Sequence, residues 1–171
     1  MATAEKFLPA YDGQTPDELI ALAGEYRIDS IVLAFEQALQ ARAGDGLRGL
    51  GEAEATILAV ESLEREVNNG GYHQFFLNTP VYAPLIVGAL TRIGCPRTAA
   101  ITADALAMLG LRAGFTPDDV EAALMADAQG RLIETLCERC DARYDESGES
   151  IADRLFEYIR AQRAAIRLGK P

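Results

Sequence analysis

The sequence predicts an all-α protein: a single compact domain over residues 1–171, with about eight or nine helices arranged largely as antiparallel pairs. Three observations carry this expectation. Apolar residues recur at three- and four-residue steps along most of the chain, and no convincing alternating run of the kind a half-buried strand needs is present. Proline-acid starts and glycine stops punctuate those runs at helix-length intervals. A length of 171 residues, 49% hydrophobic and 25% charged, suits one globular core.

In chain order, Thr15-Pro16-Asp17-Glu18 puts a hydroxyl at an N-cap, proline at the first helical position and glutamate three residues after the cap. This is a capping box, and a short helix is expected from it. Ile28, Ile31, Val32, Phe35 and Leu39 mark a second helix to about Ala43, ended by the glycine-rich GDGLRGLG at 44–51. From Glu52, the residues Ile57, Val60, Leu63 and Val67 form one face of a third helix, which is expected to end at Asn68-Asn69-Gly70-Gly71. A brief helix over Tyr72–Leu77 follows, stopped by Asn78-Thr79-Pro80. Pro84–Ile93 and Pro96–Leu109, closed by Gly94 and Gly110, read as an antiparallel pair. Thr116-Pro117-Asp118-Asp119 opens a helix to about Ala126, and a further helix is expected over Ala128–Ala142. The last is marked by Ile151, Leu155, Phe156, Ile159 and Ile166 and closed by Arg and Lys.

The most distinctive text is EREVNNGGYHQFFLNTP, Glu64 to Pro80. A helix that ends in a core leaves amides and carbonyls in need of partners, and Asn68, Asn69, Gln74 and Asn78 offer both donors and acceptors. Gly70 and Gly71 permit a tight reversal, while Tyr72, Phe75 and Phe76 anchor it in apolar surroundings. His73 reads as a solvent-facing helix residue. A catalytic site would need a nucleophile, base or metal that one histidine does not supply, so no enzyme activity and no cofactor are expected. A polar ligand pocket around Asn68, Asn69, His73 and Gln74 stays open as an alternative.

Three cysteines with no secretion signal predict reduced thiols in a cytoplasmic protein, and no apolar stretch is long enough to span a membrane. Cys137-Glu-Arg-Cys140 falls within a predicted helix, where it reads as packing. Zinc would need Cys95 and His73 as well, and nothing in the sequence brings these together, so no metal is expected.

Acids outnumber bases by 26 to 16, a net charge of −10, which opposes direct binding to nucleic acid or anionic membrane and favours basic partners. The charge is uneven: 1–66 and 116–157 each sum to −8, 67–115 to +2 and the tail to +4. The nearly uncharged middle reads as a buried hub between acidic flanks.

The run Glu66-Val-Asn68-Asn69-Gly70-Gly71-Tyr-His-Gln74-Phe75-Phe76-Leu-Asn78 resembles the motif of a bacterial family whose best-known member is a DNA-mimic protein, an acidic all-helical dimer. Weaker resemblance extends through Gly94–Ala107 and CDARYDESGESIADRLFEYIRAQR, 140–163. The resemblance implies a helical fold, a homodimer and, for some members, competition with DNA for a basic DNA-binding transcription factor. The shared motif is amide-rich and reads as structural, so mimicry would fall to carboxylates outside it.

Duplex DNA carries one charge per about 1.7 Å. Over a domain of on the order of 40 Å it would present roughly two dozen charges, so a dimer at −20 comes nearer than a monomer. The acids expected to meet a partner lie in caps and loops: Asp17, Glu18, Asp118, Asp119, Glu121, Asp141, Asp145, Glu146 and Glu149. First-turn acids also stabilise helix starts, which is their simpler role. A helical protein-binding module without mimicry is the other reading.

Overall fold

The computed structural model describes residues 5–44, 47–127 and 131–169. Among them are eight α-helices, two short 3-10 turns and only isolated bridges, so the all-α expectation holds. The chain divides into two compact units. One comprises 1–61 with 150–171, and the other 62–149, the boundary falling within the third helix.

The first unit contains α1 (Pro16–Ala21), α2 (Ile28–Ala43), the opening turns of α3 (Glu52–Asn78) and α8 (Ile151–Gln162). The Thr15 box forms as predicted: Thr15 Oγ1 accepts from the Glu18 amide and Glu18 Oε2 accepts from the Thr15 amide. The helix α2 packs against α1 and α8. Its Ile31, Val32, Phe35 and Leu39 are buried, as are Leu155, Phe156 and Ile159 of α8. Ile166 is buried too, but not as a helical residue. The helix stops at Gln162, a 3-10 turn covers Arg163–Ala165, and Ile166 is extended. Buried Glu54 holds this end of the chain by accepting from the backbone amides of Gly51 and Arg167 and pairing with Arg42.

The second unit holds the rest of α3, a 3-10 turn at Pro80–Tyr82, α4 (Ile86–Arg92), α5 (Pro96–Ala107), α6 (Pro117–Asp127) and α7 (Leu132–Asp145). The helix α4 packs on α5, α5 on α7, and α6 on α7 and the 3-10 turn. Thr116 and Asp119 form a second capping box, the Asp119 carboxylate accepting from the Thr116 amide at 2.7 Å. The expected start of the next helix at Ala128, with Gly130, lies outside the described residues. The helix α7 begins at Leu132 after a left-handed Arg131, and Asp127 Oδ2 accepts from the Ile133 amide. No helix among the described residues is long and apolar enough to cross a membrane.

The predicted break at Asn68–Gly71 is present, as a sharp kink between two helical stretches, the second of which runs to Asn78. Helix runs to Asn69, passes through non-helical Gly70 and Gly71, and resumes through Asn78. Gly71, at φ 79° and ψ −177°, occupies a region essentially restricted to glycine.

Candidate functional site

The kink is built around a carboxylate. Glu66, one turn before the glycines, is nearly buried, and its Oε2 accepts from Gln74 Nε2 at 2.9 Å and Asn78 Nδ2 at 2.8 Å. Arg65 lies at 3.3 Å from the other oxygen. Burial works to raise this carboxyl's pKa, but the Asn78 and Gln74 donors and the Arg65 guanidinium outweigh it and hold it below the ordinary range. Gly70 is required for the first of these bonds. A Cβ there would stand 2.0 Å from Gln74 Oε1, so the amide crosses the space a side chain would fill.

This corrects the expectation that the four amides serve the helix end. Gln74 and Asn78 bridge the kink through Glu66, and Asn68 Nδ2 donates to the Glu64 carbonyl on its own helix. Asn69 is simply exposed.

The far side of the kink is fixed by α7. Asp141 Oδ1 accepts from the Tyr72 amide at 2.7 Å. Tyr72, Phe75 and Phe76 are fully buried, and the Tyr72 ring meets Tyr144 edge-on at 5.9 Å. Thr102 Oγ1 donates to the Thr98 carbonyl, which leaves it to accept from the Tyr72 hydroxyl at 2.7 Å. The Tyr144 hydroxyl donates to Glu64, whose carboxyl burial pushes up to about 7. Among the described residues every buried side-chain nitrogen and oxygen has a partner, so the buried polar groups of this corner are engaged with one another.

Cys137 and Cys140 are buried free thiols on the inward face of α7, with Ile133 and Tyr144. Burial pushes the Cys137 thiol up to about 12 and raises that of Cys140.

Two of the proposed partner-contacting acids are in use internally. Asp141 is the Tyr72 anchor, half-buried, with its carboxyl raised chiefly by burial. Glu149 caps α5: Oε2 accepts from the Thr98 amide at 2.8 Å and from Thr98 Oγ1 at 2.7 Å, and Oε1 accepts from the Arg97 amide at 3.0 Å. Burial opposes ionisation of Glu149, but these donors and the Arg97 charge hold its carboxyl low. Glu18 and Asp119 belong to capping boxes, and Asp17 stands 3.3 Å from Arg163. Asp118, Glu121, Asp145 and Glu146 are exposed.

A feature the sequence reading did not pick out lies on α7. Glu134, Glu138, Asp141 and Asp145 recur at steps of four, three and four, each one residue after the buried set Ile133, Cys137, Cys140 and Tyr144. They therefore form one acidic row along the helix, flanking its buried stripe. The spacing is visible in the sequence, but a search confined to caps and loops passes over it.

His73 is half-buried and stands on the wall of a groove of about 500 Å³. Leu77, Leu124 and Met125 supply the groove's apolar lining. Glu121, Asp127 and Glu134 supply acids, with Arg131 beside Glu134 at 4.0 Å. Asn68, Asn69 and Gln74 do not line it, so of the four residues of the alternative polar pocket only His73 borders this groove.

The family model described as DMP19-like protein matches residues 48–162, about two thirds of the chain. Comparison with curated proteins and with solved structures gave no match.

Proposed function

The chain belongs to the DMP19-like protein family, and on that premise we propose that it is an acidic protein-interaction module that occupies the DNA-binding surface of a basic transcription factor. In this reading it is a cytoplasmic homodimer without catalytic activity.

The observation that carries the reading is the acidic row of α7. Like charges at i, i+4 weaken a helix by about 0.2–0.5 kcal/mol per pair, and acids in a last turn oppose the helix dipole. Glu134–Glu138 and Asp141–Asp145 are such pairs, and Asp145 and Glu146 sit at the negative end of the helix. Among the described residues no ion pair offsets Glu138, Asp145 or Glu146. Local stability therefore gives no reason for these carboxylates, in contrast to Glu18 and Asp119 in their capping boxes.

Its exposed members, Glu134, Glu138 and Asp145, span about 16 Å at 1.5 Å per residue, one carboxylate per roughly 8 Å with Asp141 held on the Tyr72 amide between them, against one phosphate per 3.4 Å of axis on a single DNA strand. One row is sparser than a strand. Glu121 and Asp118 on α6 add charge in the same unit, and a second copy would double the total.

Protein immobilised and exposed to a lysate of its own cells should retain a basic DNA-binding protein that short duplex DNA or moderate salt releases. The pair Glu134→Gln and Glu138→Gln should weaken that retention several-fold and flatten its dependence on salt. Retention indifferent to salt, to duplex and to these two substitutions would refute the reading.

A further inference from the structure

Three of the five exposed large hydrophobic residues among the described ones are close in sequence or in space to the groove beside His73. Leu77 and Met125 line it, at 59% and 79% exposure, and exposed Leu132 is the next residue in sequence after the lining Arg131. A soluble surface with an apolar lining and acids around it matches one kind of occupant. Aliphatic side chains attract an apolar anchor, and Glu121, Asp127 and Glu134 outnumber the single Arg131, which leaves the lining net negative. A volume of about 500 Å³ takes one or two large side chains, not a whole helix.

We propose that this groove seats the apolar anchor of a basic amphipathic helix on a partner protein, with Lys or Arg one turn either side of the anchor facing Glu121 and Glu134. Helix-in-groove recognition reads anchors at i, i+3 or i+4, and this places the cations of the same helix over the acidic rim. The inference rests on the reading above that the partner is basic, and it adds a contact that DNA itself could not make. Charge copied from a duplex attracts any cationic surface. An apolar groove admits only a partner that also presents an anchor, so it selects among basic proteins.

The two contributions are separable because acidic substitutions in the groove move them in opposite directions. Leu77→Glu and Met125→Glu increase negative charge and remove apolar surface. The probe is a fluorescein-labelled 18-residue helical peptide with leucine on one face and lysine on the other, titrated with the full chain and followed by anisotropy. A scrambled peptide of the same composition is the control. The groove predicts at least tenfold weaker binding for each variant, and at least tenfold weaker binding of the scrambled peptide to the parent protein. Charge alone predicts equal or tighter binding by both variants and no effect of scrambling, and either result overturns the proposal.

Both side chains are exposed, so the variants are expected to fold, and helical circular dichroism checks this. A second readout needs no variant. Of the three methionines, the Met125 ε-methyl resonance should shift on adding peptide while that of Met108 stays in place. An unmoved Met125 signal at saturating peptide refutes the site. Glu138→Gln and Asp145→Asn, both on α7 outside the groove lining, test the mimicry reading separately, so either idea can fail while the other stands.

Discussion

Asp141 accepts a 2.7 Å hydrogen bond from the Tyr72 amide, and its second oxygen stands 2.3 Å from where a Cβ on Gly71 would project. One carboxylate on α7 thus fixes the residue after the kink and fills the space beside the residue that makes it. Gly71 also has a backbone conformation that other residues adopt only under strain. Gly71→Ala is expected to lower stability by about 2–3 kcal/mol. Adding Asp141→Ala should not restore it, because removing the carboxylate relieves the clash but leaves the φ penalty and an unpartnered amide. Urea denaturation followed by circular dichroism measures both. A stable Gly71→Ala protein would show that the kink is not strained.

Glu64 makes a second prediction, in pH. Its carboxyl is pushed up to about 7 from an ordinary 4.5, so between these values the folded protein retains a proton that the unfolded chain has released. Stability from this group therefore falls as pH rises from about 4.5 to about 7 and is level above. The full effect is at most about 3 kcal/mol at 1.36 kcal/mol per unit. Glu18, Glu54, Glu66, Asp119 and Glu149, all held low, act in the opposite sense as pH drops through their range. Comparison with Glu64→Gln cancels those. The variant should match the parent near pH 4.5 and exceed it at pH 8. Equal stability at both pH values would contradict the buried carboxyl.

The thiols supply a third. With Cys137 pushed up to about 12, only about one molecule in ten thousand carries its thiolate at pH 8. An unfolded cysteine, at an ordinary 9.0, carries roughly one in ten, so alkylation by iodoacetamide should be about a thousandfold slower in the native protein. Cys140, raised in the same direction and buried, should be protected with it. Mass spectrometry of native and urea-treated samples reads the difference site by site. Rapid native labelling at Cys137 would place that face of α7 in solvent.

What was legible in the sequence was local. The Thr15 and Thr116 boxes lie within four residues, and both form as read. The two glycines announced a break because glycine is needed wherever the backbone leaves its usual regions. The partners of the break were not legible. Gln74 and Asn78 reach Glu66 across eight and twelve residues, spacings that no straight helix brings together, and Asp141 lies 69 residues from Tyr72. The inward roles of Asp141 and Glu149 are not legible either, because a carboxylate in sequence carries no mark of which way it faces. The α7 row needed only the helix period applied to acids as well as to apolar residues.

Glu149 and Asp145 stand four residues apart and separate structural from exposed charge. Glu149 accepts two backbone amides and a hydroxyl at the start of α5, so Glu149→Ala removes a cap and is expected to cost about 1–2 kcal/mol. Asp145 is exposed in the last turn of α7, opposing the dipole and repelling Asp141 four residues before it. Asp145→Asn should leave stability unchanged or raise it by about 0.3–1 kcal/mol. Binding should reverse the order: Asp145→Asn weakens capture of the basic partner, while Glu149→Ala leaves its salt dependence intact in protein shown to be folded. Thermal melts and salt titrations on the same two variants test this crossing. If both substitutions moved stability and binding together, the distinction between internal and presented carboxylates would be wrong.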